Sequence, residues 1–181
     1  MSQAIDNPER RADRQDDAMD VRDAEDGEID QLAQVWYEGW HESHAPIVPA
    51  ELTRIRTLES FRHRLQEALL NIRVVGPSRD PLGFCIVHGA ELYQLFVSGR
   101  SRGSGVAAAL IADAEARLSA RGVATAWLAC AIGNERAARF YEKCGWSRVG
   151  TMINRLDTPS GPFPLEVWRY EKSLSSSARS G

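Results

Sequence analysis

Residues 95–110 read Leu95-Phe96-Val97-Ser98-Gly99-Arg100-Ser101-Arg102-Gly103-Ser104-Gly105-Val106-Ala107-Ala108-Ala109-Leu110. An apolar strand pattern stops at Val97, a turn rich in glycine and arginine follows, and an alanine-rich helical pattern begins. Gly103 and Gly105 let the backbone approach a ligand closely, and the first N–H groups of the following helix have no intrahelical acceptor. The positive end of the helix dipole adds to this, and Arg100 and Arg102 set two cations beside the same turn. The segment therefore predicts an anion cradle, and a pyrophosphate is its natural guest.

The residues around the glycines separate the known phosphate turns. A P-loop requires Gly-Lys-Ser/Thr, and no Lys follows either glycine. A dinucleotide turn accepts Gly103, Gly105 and Ala108, but it also requires a carboxylate about 20 residues further on. The stretch there is Ala126-Trp127-Leu128-Ala129-Cys130-Ala131, which has none. The third pattern, Arg/Gln-x-x-Gly-x-Gly/Ala, is met by Arg102, Gly105 and Ala107; Arg100, Gly103 and Gly105 also fit it in a shifted register.

In that third form the chain resembles the GCN5-related N-acetyltransferase (GNAT) family, whose segment V-x-P-x-x-R-G-x-G-x-G/A closes a strand. Here Gly99 replaces the usual Pro and Ala107 the final Gly. A second stretch, Asn134-Glu135-Arg136-Ala137-Ala138-Arg139-Phe140-Tyr141-Glu142-Lys143-Cys144-Gly145-Trp146, is similar to the family's N-x-x-A-x-x-F-Y-E-K-x-G-F. The resemblance implies a single α/β domain of the α+β type. Its mixed, mostly antiparallel sheet would have six to seven strands, flanked by about four to five helices. It also implies acetyl transfer from acetyl-coenzyme A to a primary amine of a small molecule or peptide, by direct attack in a ternary complex. A coenzyme A binding module without catalysis, and transfer of a longer acyl group, remain alternatives.

The resemblance further implies a set of site residues. Phe96 and Val97 would pair through their backbone with the pantetheine arm, as an added strand would. The turn Arg102, Gly103, Ser104, Gly105, Val106 and Ala107 would hold the pyrophosphate. Asn134 and Ala137 would contact the arm, and Asn134 is equally suited to cap a helix. Tyr141 would be the general acid for the departing sulfur. For the base, strand alternation puts Glu91, Tyr93, Leu95 and Val97 on one face leading to the turn, which favours Glu91 over His88. Trp36, Trp40, His41 and His44 would line an acceptor pocket for an amine with an apolar or ring portion, or would simply fill the core. No third ligand joins His41 and His44, so no metal is expected.

Composition agrees with an ordinary soluble protein. The chain has 181 residues, 43% hydrophobic and 26% charged, with a net charge of −3, which gives no nucleic-acid footprint. No run approaches the length of a membrane span, and the first residues have neither a basic nor an apolar leader region, so a cytoplasmic protein is expected. Cys85, Cys130 and Cys144 lack metal spacing and read as reduced core thiols, with Cys144 as a remote nucleophile candidate. A homodimer through the last strands is a further expectation of the resemblance.

Three segments are expected: a flexible charged extension over 1–17, the domain over 18–172 and a flexible tail over 173–181. Within the domain, strands are predicted at 19–24, 72–75, 82–88, 92–97, 123–130, 147–153 and 165–172. Helices are predicted from about Asp30 to near Gly39, then at 50–56, 59–70, 103–120 and 134–144.

Overall fold

In the computed structural model, residues 19–174 are described. The extension expected over 1–17 lies outside them, as does the tail from 175 onward. Seven strands form one sheet: β1 (Val21–Asp23), β2 (Ile72–Val75), β3 (Gly83–His88), β4 (Glu91–Val97), β5 (Thr125–Ala131), β6 (Ser147–Leu156) and β7 (Phe163–Ser173), in the order β1-β2-β3-β4-β5-β7-β6. Every neighbouring pair is antiparallel except β4 and β5. Five helices cover it: α1 (Ile29–His44), α2 (Ala50–Ile55), α3 (Leu58–Ala68), α4 (Val106–Ala120) and α5 (Glu135–Lys143). The last strand outruns its predicted end, since Ser173 still pairs with Thr125 and Leu174 N donates to Ala124 O at 2.8 Å.

The two faces of the sheet bury separate cores. On one, Leu110, Ala114 and Leu118 of α4 meet Leu128 of β5 and Tyr170 of β7. On the other, Leu32 and Trp36 of α1 and Phe61 and Leu65 of α3 meet Phe84 of β3. Both stripes follow helical spacing, and each buried leucine contributes about 1.5–3 kcal/mol. The entry to α1 is held by a buried charge: Glu28 accepts two hydrogen bonds from Arg22, at 2.7 and 2.9 Å, and a third from Glu25 N at 3.0 Å. A carboxylate with no exposed surface is tolerable only when so paired.

Two helix boundaries differ from the sequence prediction, each because of a glycine. α1 does not stop at Gly39 but runs to His44. Gly39 is a packing position, where an added Cβ would stand 2.8 Å from the Phe96 ring. α4 begins at Val106 rather than Gly103, because Gly103 and Gly105 sit at φ values of 75° and 91° and cannot continue into a right-handed helix.

β4 contains one residue more than its partner. Ile86 pairs with Gln94 and Val87 with Leu92, which leaves Tyr93 as a bulge. Side-chain alternation reverses there. Leu95 and Val97 pack on the α4 side, whereas Tyr93 and Phe96 pack on the α1 side. The predicted common face of Glu91, Tyr93, Leu95 and Val97 is thus split, and Glu91 stays with Tyr93 on the α1 side. β4 also pairs with β5 at a single position, Glu91 opposite Trp127, where Trp127 N donates to Ala90 O at 3.1 Å. Beyond it the two strands diverge.

Gly83, opposite Val97, fixes how closely α4 approaches this strand end: an added Cβ would lie 2.9 Å from both Phe96 O and Val106 Cγ1. Gly83→Ala should therefore lower stability by about 1–3 kcal/mol, a fall of roughly 3–10 °C in Tm. An unchanged melting temperature would show that the strand end and α4 are not in the tight contact described.

Candidate functional site

A cleft of about 630 Å³ opens where β4 and β5 part. Its walls are Tyr93–Val97 on one side and Ala129–Ala131 on the other, with Gly39, Ser43 and His44 of α1 at one end. The turn before α4 and the inner side of α5 close the rest. Strand edges without a neighbour expose N–H and C=O groups, so these walls are suited to an extended polar chain laid between them.

At the mouth lies the glycine turn. Arg102, Gly103, Gly105, Val106 and Ala107 all line the cleft. The first i→i−4 bond of α4 runs from Ala109 N to Gly105 O at 3.0 Å, so the N–H groups of Val106, Ala107 and Ala108, three residues that line the cleft, precede it and have no intrahelical acceptor. Ser104 is placed otherwise. Both its backbone N–H and its hydroxyl donate to Ser101 O, so its donors are spent inside the turn. Arg100 is turned away and pairs with Asp80.

Two cations at the mouth share one carboxylate. Arg102 Nη1 donates to Glu42 Oε1 at 2.8 Å, its Nη2 meets Glu42 Oε2, and Arg136 Nη1 donates to Glu42 Oε1 at 3.2 Å. The bidentate Arg102 bond, with Arg136 adding to it, pulls the Glu42 carboxyl down to about 2. Glu42 lies in no motif and Arg136 falls on an unspecified position of the second one, so neither was singled out from the sequence; they meet Arg102 only through the fold.

Deeper in the cleft lie Phe96, Val97, Asn134, Ala137 and Tyr141. Asn134 caps α5, its Oδ1 accepting from Ala137 N at 3.3 Å, while its side also faces the cleft. Tyr141 packs at a tilt against Phe140 and Tyr170, at ring separations of 5.6 and 6.1 Å. Among the described residues its hydroxyl makes no hydrogen bond. Burial, with the Cys130 and Cys144 thiols beside it, pushes the phenol above its ordinary range. Burial also raises Cys130 to about 12 and Cys144 by a lesser amount, which leaves both as thiols at neutral pH.

On the α1 side of the same gap is a second, smaller cavity of about 90 Å³. It shares His44, Tyr93, Gln94, Ala129 and Ala131 with the cleft, so the two spaces meet through the parted strands. Glu91 lines this cavity and not the cleft. Burial raises its carboxyl to about 7, against a smaller opposing pull from Arg169. His44 stands at the junction, stacked on Trp40 at 5.3 Å with its Nδ1 2.7 Å from Ser43 Oγ. Burial lowers it to about 4, and it is neutral at physiological pH.

The four residues predicted for an acceptor pocket separate. Trp40 and His44 line the small cavity. Trp36 is 1% exposed and packs on Phe61, Phe84 and Phe96 in the core. His41 lies beside α2, its Nε2 2.7 Å from Arg56 O. The cavity is completed by Arg56, Arg64, Tyr93 and Gln94, which sequence reasoning missed. The available signal was Arg64, three residues from Phe61 on the apolar side of α3, where a charge is out of pattern.

A raised carboxyl makes the folded state hold its proton more tightly than the unfolded chain, so stability falls as pH rises from about 4.5 through 7. Glu91→Gln should accordingly raise Tm more at pH 8 than at pH 4.5, and an NMR titration of the wild-type carboxyl should show a midpoint near 7. A midpoint in the ordinary range near 4.5 would mean that Glu91 is solvated.

The sequence profile described as the acetyltransferase (GNAT) family matches residues 29–146, more than half of the chain. No curated protein sequence matches it. Among solved structures, it is similar to a GCN5-related N-acetyltransferase from Rhodopseudomonas palustris, with 20% identity, a TM-score of 0.67, and coverage of 87% of this chain and 96% of that one. It is also similar to apo YjaB from Escherichia coli, with 23% identity, a TM-score of 0.65, and coverage of 84% and 95%. A third is the PaiA N-acetyltransferase of Thermoplasma acidophilum in complex with coenzyme A, with 19% identity, a TM-score of 0.58, and coverage of 85% and 98%. At these identities the likeness is one of fold.

Proposed function

Because the chain belongs to the GNAT acetyltransferase family and is an acyltransferase, we propose that it moves an acetyl group from acetyl-coenzyme A to a primary amine by direct attack in a ternary complex. The observation that carries this is the meeting of two unlike spaces at the β4/β5 gap. One has an anion cradle at its mouth and the other has a carboxylate in its wall.

The residues present fit the donor. The unpaired strand edges suit the amides of a pantetheine arm, and the turn supplies free N–H groups and Arg102 for phosphate oxygens. Arg102 would exchange the Glu42 carboxylate for phosphate. When bound, acetyl-coenzyme A supplies an acetyl group activated as a thioester.

The protein's own groups then handle two protons. An amine arrives as an ammonium ion and must lose a proton before attack; Glu91, with its carboxyl near 7, is matched to accept it at neutral pH. Tyr141, held above its ordinary range, keeps its hydroxyl proton and can give it to a departing thiolate. An N–C bond forms and a C–S bond breaks: one ammonium proton passes to Glu91, the Tyr141 proton goes to sulfur, and the second proton that nitrogen sheds as the amide forms restores the Tyr141 hydroxyl. His44, neutral at the junction, orients the acceptor without adding charge.

Tyr141→Phe should lower kcat by about 100-fold while leaving the coenzyme A dissociation constant within about twofold. In Glu91→Gln the acidic limb of the kcat/KM profile, with its midpoint near 7, should disappear. Released thiol reports the rate, and product mass distinguishes an acetyl from a longer acyl group. Turnover of Tyr141→Phe equal to wild type across the pH range removes Tyr141 as the acid, and an unaltered limb removes Glu91 as the base.

A further inference from the structure

The small cavity beside Glu91 carries more positive charge than amine binding needs. Arg56 is 4% exposed; its Nη1 donates to Asp157 O at 3.0 Å. Arg64 Nη2 donates to Tyr93 Oη at 2.7 Å, and its guanidinium lies 4.4 Å from the centre of the Trp36 ring. Both line the cavity. Among the described residues, no carboxylate lies within ion-pair distance of either, and Glu91 pairs with neither. A buried guanidinium without an ion-pair partner is costly, and it is tolerated where a ligand supplies an anion; Arg56 is buried and Arg64 half-buried. Burial and the nearby Arg64 lower Arg56, with Tyr93 and the Asp157 carboxylate pulling the other way from beyond ion-pair distance, only to about 10, so it remains charged at neutral pH.

A simple amine or a diamine would bring further positive charge to this wall. A zwitterion matches it. At about 90 Å³ the cavity is also far smaller than the roughly 300 Å³ at which drug-sized ligands begin, so it takes a compact group. On the premise that this cavity is the acceptor side of the transfer site, we propose that it selects a small amino acid, whose carboxylate is held by Arg56 and Arg64 and whose amine faces Glu91. A peptide N-terminus lacks the neighbouring carboxylate and would be disfavoured. Planar guanidinium forks are suited to such a carboxylate, since each offers two parallel N–H donors.

The test uses alanine, β-alanine and 4-aminobutyrate, each against its own carboxamide, with putrescine as a cationic control. Thiol release is followed at saturating acetyl-coenzyme A, and binding to the coenzyme A-loaded protein is followed by ligand-observed NMR. At least one acid should exceed its carboxamide by about tenfold or more in kcat/KM. In Arg56→Gln that ratio should collapse towards one, Arg56→Lys should retain part of it, and the exposed Arg54→Gln should leave it unchanged. A wild-type ratio near one, or a preference for putrescine, overturns the inference while the transferase stands. Absence of both turnover and binding for every acid, with coenzyme A still raising Tm, also overturns it and leaves the donor site intact. No effect of coenzyme A on Tm removes the transferase reading itself and the inference with it.

Discussion

Two parallel strands that stay together for one residue pair and then separate open both the cleft and its passage to the smaller cavity. Had β4 and β5 remained paired along their length, the walls at Tyr93–Val97 and Ala129–Ala131 would be closed by ladder hydrogen bonds. Neither the cleft nor its passage to the smaller cavity would exist. The Tyr93 bulge works on the same strand, because one additional residue sends Glu91 and Tyr93 to the α1 side while Leu95 and Val97 remain with α4. A single strand thus presents a carboxylate to one space and a backbone edge to the other. The close contacts at Gly39 and Gly83 hold the strand against α1 and α4 on its two faces.

Charge is sorted across that gap. On the cleft side, Arg102 and Arg136 converge at the mouth and share the single negative charge of Glu42. On the α1 side, Arg56 and Arg64 line the same cavity as Glu91 and hold hydrogen bonds but no ion pair among the described residues. Between them the junction is uncharged at neutral pH, since burial lowers His44 to about 4 and raises the Tyr141 phenol. An anionic donor and a zwitterionic acceptor would each meet opposite charge on its own side and neutral groups where the bond forms. Low polarisability at that point strengthens the interaction of Glu91 and Tyr141 with the groups they serve.

Much of the cleft was legible in the chain because its determinants are local. Gly103 and Gly105 signalled the left-handed turn and Asn134 the helix cap, and Tyr141 stands in a motif of neighbouring residues. The smaller cavity depends on contacts between distant segments. Strict alternation along β4 cannot reveal that one residue is surplus, because the surplus exists only relative to β3. Gly39 has the local character of a helix stop, yet it is a close approach to Phe96, 57 positions away in the chain. Trp36 and Trp40 lie one helical turn apart, but the first packs on Phe61 in the core and the second reaches the cavity. Arg56 ends α2 and Arg64 lies within α3, and no local pattern encodes how these two short helices are placed relative to each other.

Amide hydrogen exchange with and without coenzyme A distinguishes binding along the parted edges of β4 and β5 from binding elsewhere. Peptides covering 93–97, 103–108 and 129–131 should become protected together, with NAD and ATP producing no such pattern at matched concentration. Protection confined to the turn at 103–108, or found elsewhere in the chain, would mean that the ligand does not lie in the gap between the strands.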